Sequence, residues 1–315
     1  MRRLLVLLLT LVLAAVLGGC GLDFRDQGPA AAKDTDVSVS GSSDDRPTLA
    51  YRSPVKASEP WSRTVLVGTG DRLADGGDVL LNMYAEDGRT HAVVQDTYGG
   101  SPRMLRMDPA DLGRRLYDAL QGQRAGARVL LVSDEDDRAE GDRIPLVLVV
   151  DVLPVTASGD DVAPGPGVPK VTVPPGRAPK VTVPAADPPD DLVVRTLVRG
   201  DGRQVEPGST ITVRYVGVRW KDGKVVDSNW DTGSVFTTVF GLGTMVDAWE
   251  QGLLEQSVGS RVMIVAPPSA AYGGTDSPLA DDTLVYVVDI LDTHTTPHDD
   301  DTGDGAAPEP QETQK

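Results

Sequence analysis

The feature that most constrains this 315-residue chain is a series of motifs that occurs twice. Arg63-Thr-Val-Leu-Val-Gly-Thr-Gly70 returns as Arg195-Thr-Leu-Val-Arg-Gly-Asp-Gly202. Gly77-Asp-Val-Leu-Leu-Asn-Met-Tyr84 aligns on Gly208-Ser-Thr-Ile-Thr-Val-Arg-Tyr215, and Asp96 follows Tyr84 at the spacing at which Asp227 follows Tyr215. Ala125-Gly-Ala-Arg-Val-Leu-Leu-Val132 matches Val258-Gly-Ser-Arg-Val-Met-Ile-Val265, and Leu146–Leu153 matches Leu284–Leu291. Because order and spacing hold throughout, the chain reads as two copies of one folding unit, over residues 46–154 and 178–294. Residues 155–177 between them are rich in Pro, Gly and Asp, the composition of an extended, semi-rigid connector. A small echo crosses this boundary: Pro169-Lys-Val-Thr-Val-Pro174 and Pro179-Lys-Val-Thr-Val-Pro184. Its second half reads as the opening strand of the second unit.

Each unit reads as strands plus one short helix. Ile211, Val213 and Tyr215 alternate with polar neighbours, as in a half-buried strand. Arg261–Ala266 and Leu284–Leu291 are short β-branched runs. Lys221-Asp-Gly-Lys224 and Asp87-Gly88 are hairpin signals. Thr244-Met-Val-Asp247 has the form of a capping box, and Asp108-Pro109-Ala-Asp111 repeats it with Pro at the first helical position. Val246, Trp249 and Leu253 then share one helix face. A sheet with an apolar face must be covered, and this helix is the cover.

The N-terminus has two arginines, a short apolar run over Leu4–Leu17, and then Leu17-Gly-Gly-Cys20. That is the layout of a signal peptide over 1–19 rather than of a membrane span. Leu17-Gly-Gly-Cys20 resembles the lipobox of bacterial lipoproteins, which implies lipidation of Cys20, an extracytoplasmic location and anchoring in the cell membrane by two acyl chains. Cys20 is the single Cys, so the exported protein has no disulfides. Residues 20–45 and 295–315 are polar, acidic and Gly/Pro-rich, which predicts a disordered tether and tail. The formal charge of −17 excludes a nucleic-acid partner. His91, His294 and His298 are scattered, the last two in the tail, and suggest no metal site.

Trp249 raises the functional question, because so large a side chain on so short a helix can serve as core or as the floor of a pocket. Candidates for the walls are Tyr215, Val226, Phe236, Met245, Val246, Tyr272, Leu279 and Tyr286. Asp227, the Tyr272 hydroxyl and the helix-start N–H groups would be its few polar groups, the usual form of a small-ligand site.

Residues 200–292 resemble the FKBP-type peptidyl-prolyl cis-trans isomerases. The resemblance is carried by Val213-Arg-Tyr-Val-Gly217, Asp222-Gly-Lys-Val-Val-Asp-Ser228, Phe236 with Gly241, Trp249-Glu-Gln-Gly-Leu253, Val258-Gly-Ser-Arg261, Pro267-Pro-Ser-Ala-Ala-Tyr-Gly273 and Thr283-Leu-Val-Tyr-Val-Val-Asp289, in family order. It implies an α+β fold in which each of the two tandem units is a bent antiparallel β-sheet wrapped around one short helix. Tyr215, Asp227, Trp249 and Tyr272 are the implied catalytic residues. Val226, Phe236, Met245, Val246, Leu279 and Tyr286 are the implied substrate-binding residues. Implied ligands are proline-containing segments of exported proteins and macrolides, with no cofactor and no metal.

The chain departs from the family in four respects, one being that the loop Gly274–Asp282 is shorter than in many members. Val226 precedes Asp227 where Phe is usual, Thr232 replaces an Arg that pairs with the Asp, and Tyr286 replaces Phe. The first unit departs further: Tyr84 and Asp96 remain, Leu116 stands at the Trp position, and Ser133-Asp-Glu-Asp-Asp-Arg138 replaces the Pro-Pro-Ser-Ala-Ala-Tyr-Gly segment. It reads as a degenerate, inactive copy. The alternative to an isomerase is a non-catalytic, lipid-anchored scaffold or chaperone that binds peptides or proteins.

Overall fold

The computed structural model describes residues 37–295 apart from 43–44, 56–58 and 137–142. The signal peptide, Cys20, most of the 20–45 tether, His298 and all of the 295–315 tail beyond Thr295 lie outside the described residues. Among the described residues no helix is long and apolar enough to cross a membrane.

Two antiparallel sheets dominate. The first is built from β3 (Trp61–Leu66), β4 (Asp78–Asp87), β5 (Val93–Asp96), β6 (Arg103–Arg106), β7 (Arg128–Asp136) and β8 (Arg143–Leu153). Its order is β3-β7-β8-β4-β5, with β6 also on β4. The second comprises β9 (Asp160–Asp161), β12 (Val193–Arg199), β13 (Ser209–Arg219), β14 (Val225–Ser228), β15 (Phe236–Val239), β16 (Arg261–Ala266) and β17 (Leu284–Thr295). Its order is β9-β12-β16-β17-β13-β14, with β15 also on β13. Without β9 the two orders coincide.

Short helices cover the inner faces. In the first sheet these are α1 (Pro109–Leu112) and α2 (Arg114–Leu120), where the repeat predicts one. Gly113, at φ 73°, separates them. Asp108 caps α1 as expected, accepting from the N–H groups of Ala110 and Asp111. In the second sheet the cover is α3 (Asp247–Leu253). The capping box expected at Thr244 does not form, because Val246 is the N-cap and no side chain caps the helix. Thr244 instead meets the Thr238 hydroxyl at 3.5 Å. Gly252 lets α3 sit close to the sheet, since a Cβ there would lie 2.7 Å from Ile264 Cδ1.

The outer faces are covered too. The hairpin β1 (Ser38–Ser40)–β2 (Thr48–Ala50) packs Val37, Val39, Leu49 and Tyr51 against Leu130, Val132, Val147 and Val149. The hairpin β10 (Lys170–Thr172)–β11 (Lys180–Thr182) packs Val171, Val181 and Val183 against Val216, Met263, Val265 and Val287. Three expectations are corrected by this. Residues 37–42 and 45 belong to the folded body rather than to a tether, with Val37 buried. Residues 155–177 are not an extended connector: Thr156 and Ala157 bind Asp289, and 160–161 and 170–172 are strands. The two halves of the echo pair with each other, so Lys180–Thr182 is half of a covering hairpin and not the first strand of the sheet. Burying apolar outer faces orders these segments despite their Pro content. With both faces covered, β13 is not half-buried, and Thr212 and Arg214 are as inaccessible as Ile211 and Val213.

The register shows that Tyr84 does not correspond to Tyr215. The Met83 N–H donates to the Thr97 hydroxyl at 2.8 Å, and the Tyr215 N–H donates to Asn229 Oδ1 at 2.9 Å. Val79, Leu81, Met83 and Ala85 face the helices of the first sheet, as Ile211, Val213 and Tyr215 face α3. Met83 therefore corresponds to Tyr215, and Gln95 to Asp227. A slip of one residue moves a strand side chain to the other face. Tyr84 lies on the outer face, donates to Glu86 at 2.9 Å and carries the Arg46 guanidinium 4.6 Å above its ring. Asp96 pairs with Arg46 at 3.1 Å.

Each sheet contains a buried Arg–Asp ion pair at corresponding places, Arg128–Asp151 and Arg261–Asp289, both at 2.6 Å. Arg214 reaches Asp78 at 3.1 Å and Asn82 reaches Asp292 at 3.3 Å, joining the two sheets. His294 lies in β17, not in a tail, and is buried with Nδ1 3.1 Å from Asp292.

Candidate functional site

A cavity of about 550 Å³ opens between the inner face of the second sheet, α3 and the 267–283 segment. The backbone explains its shape. β16 ends at Ala266, where Pro267-Pro268 stops pairing and starts a 3-10 turn over Pro268–Ala270. The Gly273 N–H then returns to the Pro268 carbonyl at 2.6 Å, so tightly that a Cβ on Gly273 would lie 2.5 Å from that oxygen. The turn delivers Tyr272 to the cavity wall.

Trp249 is the floor. It is 5% exposed and meets three rings edge-on: Tyr215 at 5.0 Å, Tyr286 at 5.6 Å and Phe236 at 6.1 Å. Edge-to-face contacts of this kind hold aromatic rings in fixed mutual orientation. Its indole N–H has no partner among the described residues. Gly217 makes room for Tyr286, whose ring carbon would lie 3.0 Å from a Cβ there. Tyr215, Asp227, Phe236, Met245, Val246, Trp249, Tyr272 and Tyr286 all line the cavity. Val226 and Leu279 do not, and pack against the rim of the core instead. Thr244, Asp247, Ser269 and Thr275 also line it, so the site is more polar than expected. Thr244 and Asp247 were hidden in the sequence by their resemblance to a capping box.

The Tyr215 hydroxyl donates to Asp227 Oδ2 at 2.6 Å. Burial, and then this bond, push the Tyr215 phenol pKa up. Burial, followed by the neighbouring Tyr272 hydroxyl, does the same for Tyr286. Both phenols therefore remain protonated donors at any ordinary pH. Asn229 fixes the wall: its Oδ1 accepts from the Tyr215 N–H and its side-chain amide donates to the Val213 carbonyl at 3.0 Å. Thr232 does not take the place of a cation on Asp227, since its hydroxyl donates to the Asn229 carbonyl at 2.9 Å. The Val246 N–H, next to the cavity, has no backbone partner among the described residues. An aromatic floor, a carboxylate, phenol donors and one free N–H can hold an extended apolar group and hydrogen-bond carbonyls on either side of it.

Comparison with known proteins points the same way. Residues 201–291 match the family model of the FKBP-type peptidyl-prolyl cis-trans isomerases. A probable FK506-binding protein of Corynebacterium glutamicum is 38% identical over 105 residues, covering 33% of this chain and 87% of that protein. An FK506-binding protein of Streptomyces anulatus is 32% identical over 109 residues, covering 33% and 88%. The Xenopus laevis peptidyl-prolyl cis-trans isomerase FKBP1A is 35% identical over 102 residues, covering 31% and 94%. With the matching region folded around the cavity built on Trp249, the chain belongs to the FKBP-type peptidyl-prolyl cis-trans isomerase family.

Proposed function

We propose that the second sheet carries an active peptidyl-prolyl isomerase that acts on X–Pro bonds of exported proteins. The observation that carries this reading is the convergence of Tyr215, Phe236 and Tyr286 edge-on around Trp249, beside Asp227 and Tyr272. Rotation about a peptide bond faces a barrier of about 18–20 kcal/mol because conjugation must break. X–Pro bonds populate both isomers but exchange slowly. No covalent step is required, because binding the twisted amide better than either planar form lowers the barrier. The twisted amide has lost its conjugation and is less polar along C–N, so an aromatic cavity suits it. The Val246 N–H and the Tyr272 hydroxyl hold substrate carbonyls, and Asp227 shapes the field near the twisting bond.

The first sheet, in this reading, is a degenerate copy without activity. Matched hydrogen bonds support common descent: Gly76 N–H to the Met107 carbonyl at 2.9 Å corresponds to Gly208 N–H to the Phe240 carbonyl at 2.8 Å. Gly126 N–H to the Val152 carbonyl at 2.7 Å corresponds to Gly259 N–H to the Ile290 carbonyl at 2.8 Å. Lipidation at Cys20 places both units on the outer side of the cell membrane, on the strength of Leu17-Gly-Gly-Cys20. Macrolides are further ligands of the same cavity. A binding scaffold without catalysis is the second reading, favoured by two observations among the described residues: Thr232 binds the Asn229 carbonyl rather than Asp227, and Val226 does not line the cavity.

Exchange NMR on an X–Pro peptide with a small amount of the chain tests the proposal. Cis–trans exchange peaks that appear only with the protein are the expected result. Binding shifts without exchange would favour the scaffold.

A further inference from the structure

We propose that the cavity prefers X–Pro segments that carry a lysine or arginine beside the proline. The inference rests on the isomerase reading and names the substrate class of that site. Two carboxylates, Asp227 and Asp247, line the cavity, and among the described residues no lysine, arginine or histidine does. Among the described residues neither carboxylate is paired with a cation. Among the described residues the Asp227 carboxylate accepts one hydrogen bond, from the Tyr215 phenol. Asp247, exposed at the first turn of α3, makes no hydrogen bond or ion pair among the described residues.

The basic side chains of the β13–β14 hairpin, whose second strand carries Asp227, are engaged with other acids. At the β13–β14 hairpin, Arg219 binds Asp222 at 2.6 Å and Asp282 at 3.6 Å. Lys221 binds Asp282 at 2.6 Å, and Lys224 lies 3.8 Å from Asp222. The first turn of a helix tolerates an acid at Asp247, but that does nothing for Asp227. A cleft lined by charge of one sign, with low-dielectric walls such as these four aromatic rings, focuses its field on whatever enters. Two uncompensated acids favour a cationic neighbour of the proline and penalise an anionic one, which is selection by attraction and repulsion together.

The test uses the full chain and matched peptides with Lys, Leu or Glu immediately before the proline, and a second set with the change immediately after it. Isomerisation kcat/KM is read by exchange NMR at low salt and at about 0.5 M salt, where surface attraction is screened. At low salt the Lys peptide of at least one set should exceed its Glu counterpart by about tenfold, with Leu between them. The ratio should shrink to about two- or threefold at high salt. Asp247→Asn should lower it, whereas Asp201→Asn, an equal loss of charge at an exposed position outside the cavity, should not.

Turnover of all three peptides at equal rates in both sets would overturn the inference and leave the isomerase reading standing. So would an equal effect of Asp201→Asn, which would place the preference in the charge of the whole chain. If no peptide is turned over, the isomerase reading fails, and affinities of the same peptides from tryptophan-fluorescence titration decide the question. Tighter binding of Lys than of Glu would then support the charge preference, and equal binding would overturn it.

Discussion

The two sheets share a strand order and a helical cover, yet their inner faces end differently. Trp249, Tyr215 and Asp227 border a cavity in the second. Leu116 and Met83 fill the corresponding places of the first and are buried in its core, with Gln95 at the place of Asp227. β7 runs on to Asp136 and pairs directly with β8, where β16 stops at Ala266 and the chain folds back as a cavity wall. The difference teaches that topology alone does not make this site. A few inward side chains and one strand termination decide whether the space between helix and sheet is core or pocket.

The largest effects are expected at a feature the two sheets have in common. Asp151→Ala and Asp289→Ala each leave a buried guanidinium unpaired and should each cost about 3–5 kcal/mol. Urea unfolding reads the loss, with Trp61 reporting on the first sheet and Trp220, Trp230 and Trp249 on the second. A large cost in one sheet only would deny that the pairs are equivalent.

A smaller effect is expected at Tyr272→Phe, which removes one donor and should lower kcat/KM about 3- to 10-fold. Tyr117→Phe takes a hydroxyl from Asp75 beside the first sheet and should leave activity unchanged. At the junction, Asp78→Ala deprives buried Arg214 of its carboxylate while the carbonyls of Val155 and Trp230 still accept from it. A loss of about 1–2 kcal/mol in the same unfolding experiment is expected.

The smallest effects lie in the hairpin turns. The Arg219 hydrogen bond holds the Asp222 carboxyl down to about 2, and Arg89 lowers Asp87 in the first sheet. A depressed carboxyl stabilises the fold fully above its unfolded value of 3.8, and the contribution disappears as pH falls through about 2. An NMR titration should place both midpoints below 3.8, with Asp222 near 2. A midpoint for Asp222 at the unfolded value would refute the pairing.

Much of the second sheet was legible in the sequence, because Trp249, Tyr272-Gly273 and Asp227 are residue types whose spacing carries the cavity. The register of the first sheet was not. Matching Tyr84 to Tyr215 by residue type is wrong by one position, and the bonds that the Met83 N–H donates to Thr97 and the Tyr215 N–H donates to Asn229 set it right. The covering hairpins are not legible because strands of three residues show no periodicity, and until the outer face they cover is known Pro169 suggests a linker and Pro179–Pro184 the opening strand of the second sheet. Asp247 looked like half of a cap, and only the backbone of Val246 shows it free at the cavity.

Trp249 lines a cavity on the second inner face where Leu116 is buried core on the first, and the proposed activity depends on that difference. Isomerisation of an X–Pro peptide by the full chain and by its Trp249→Leu variant tests this most directly. Clear acceleration by the wild type is expected, with a loss of about 10- to 100-fold in the variant, equivalent to about 1.4–2.7 kcal/mol, and the fold retained by circular dichroism. Undiminished activity in Trp249→Leu, or a folded wild type that accelerates nothing, would contradict it.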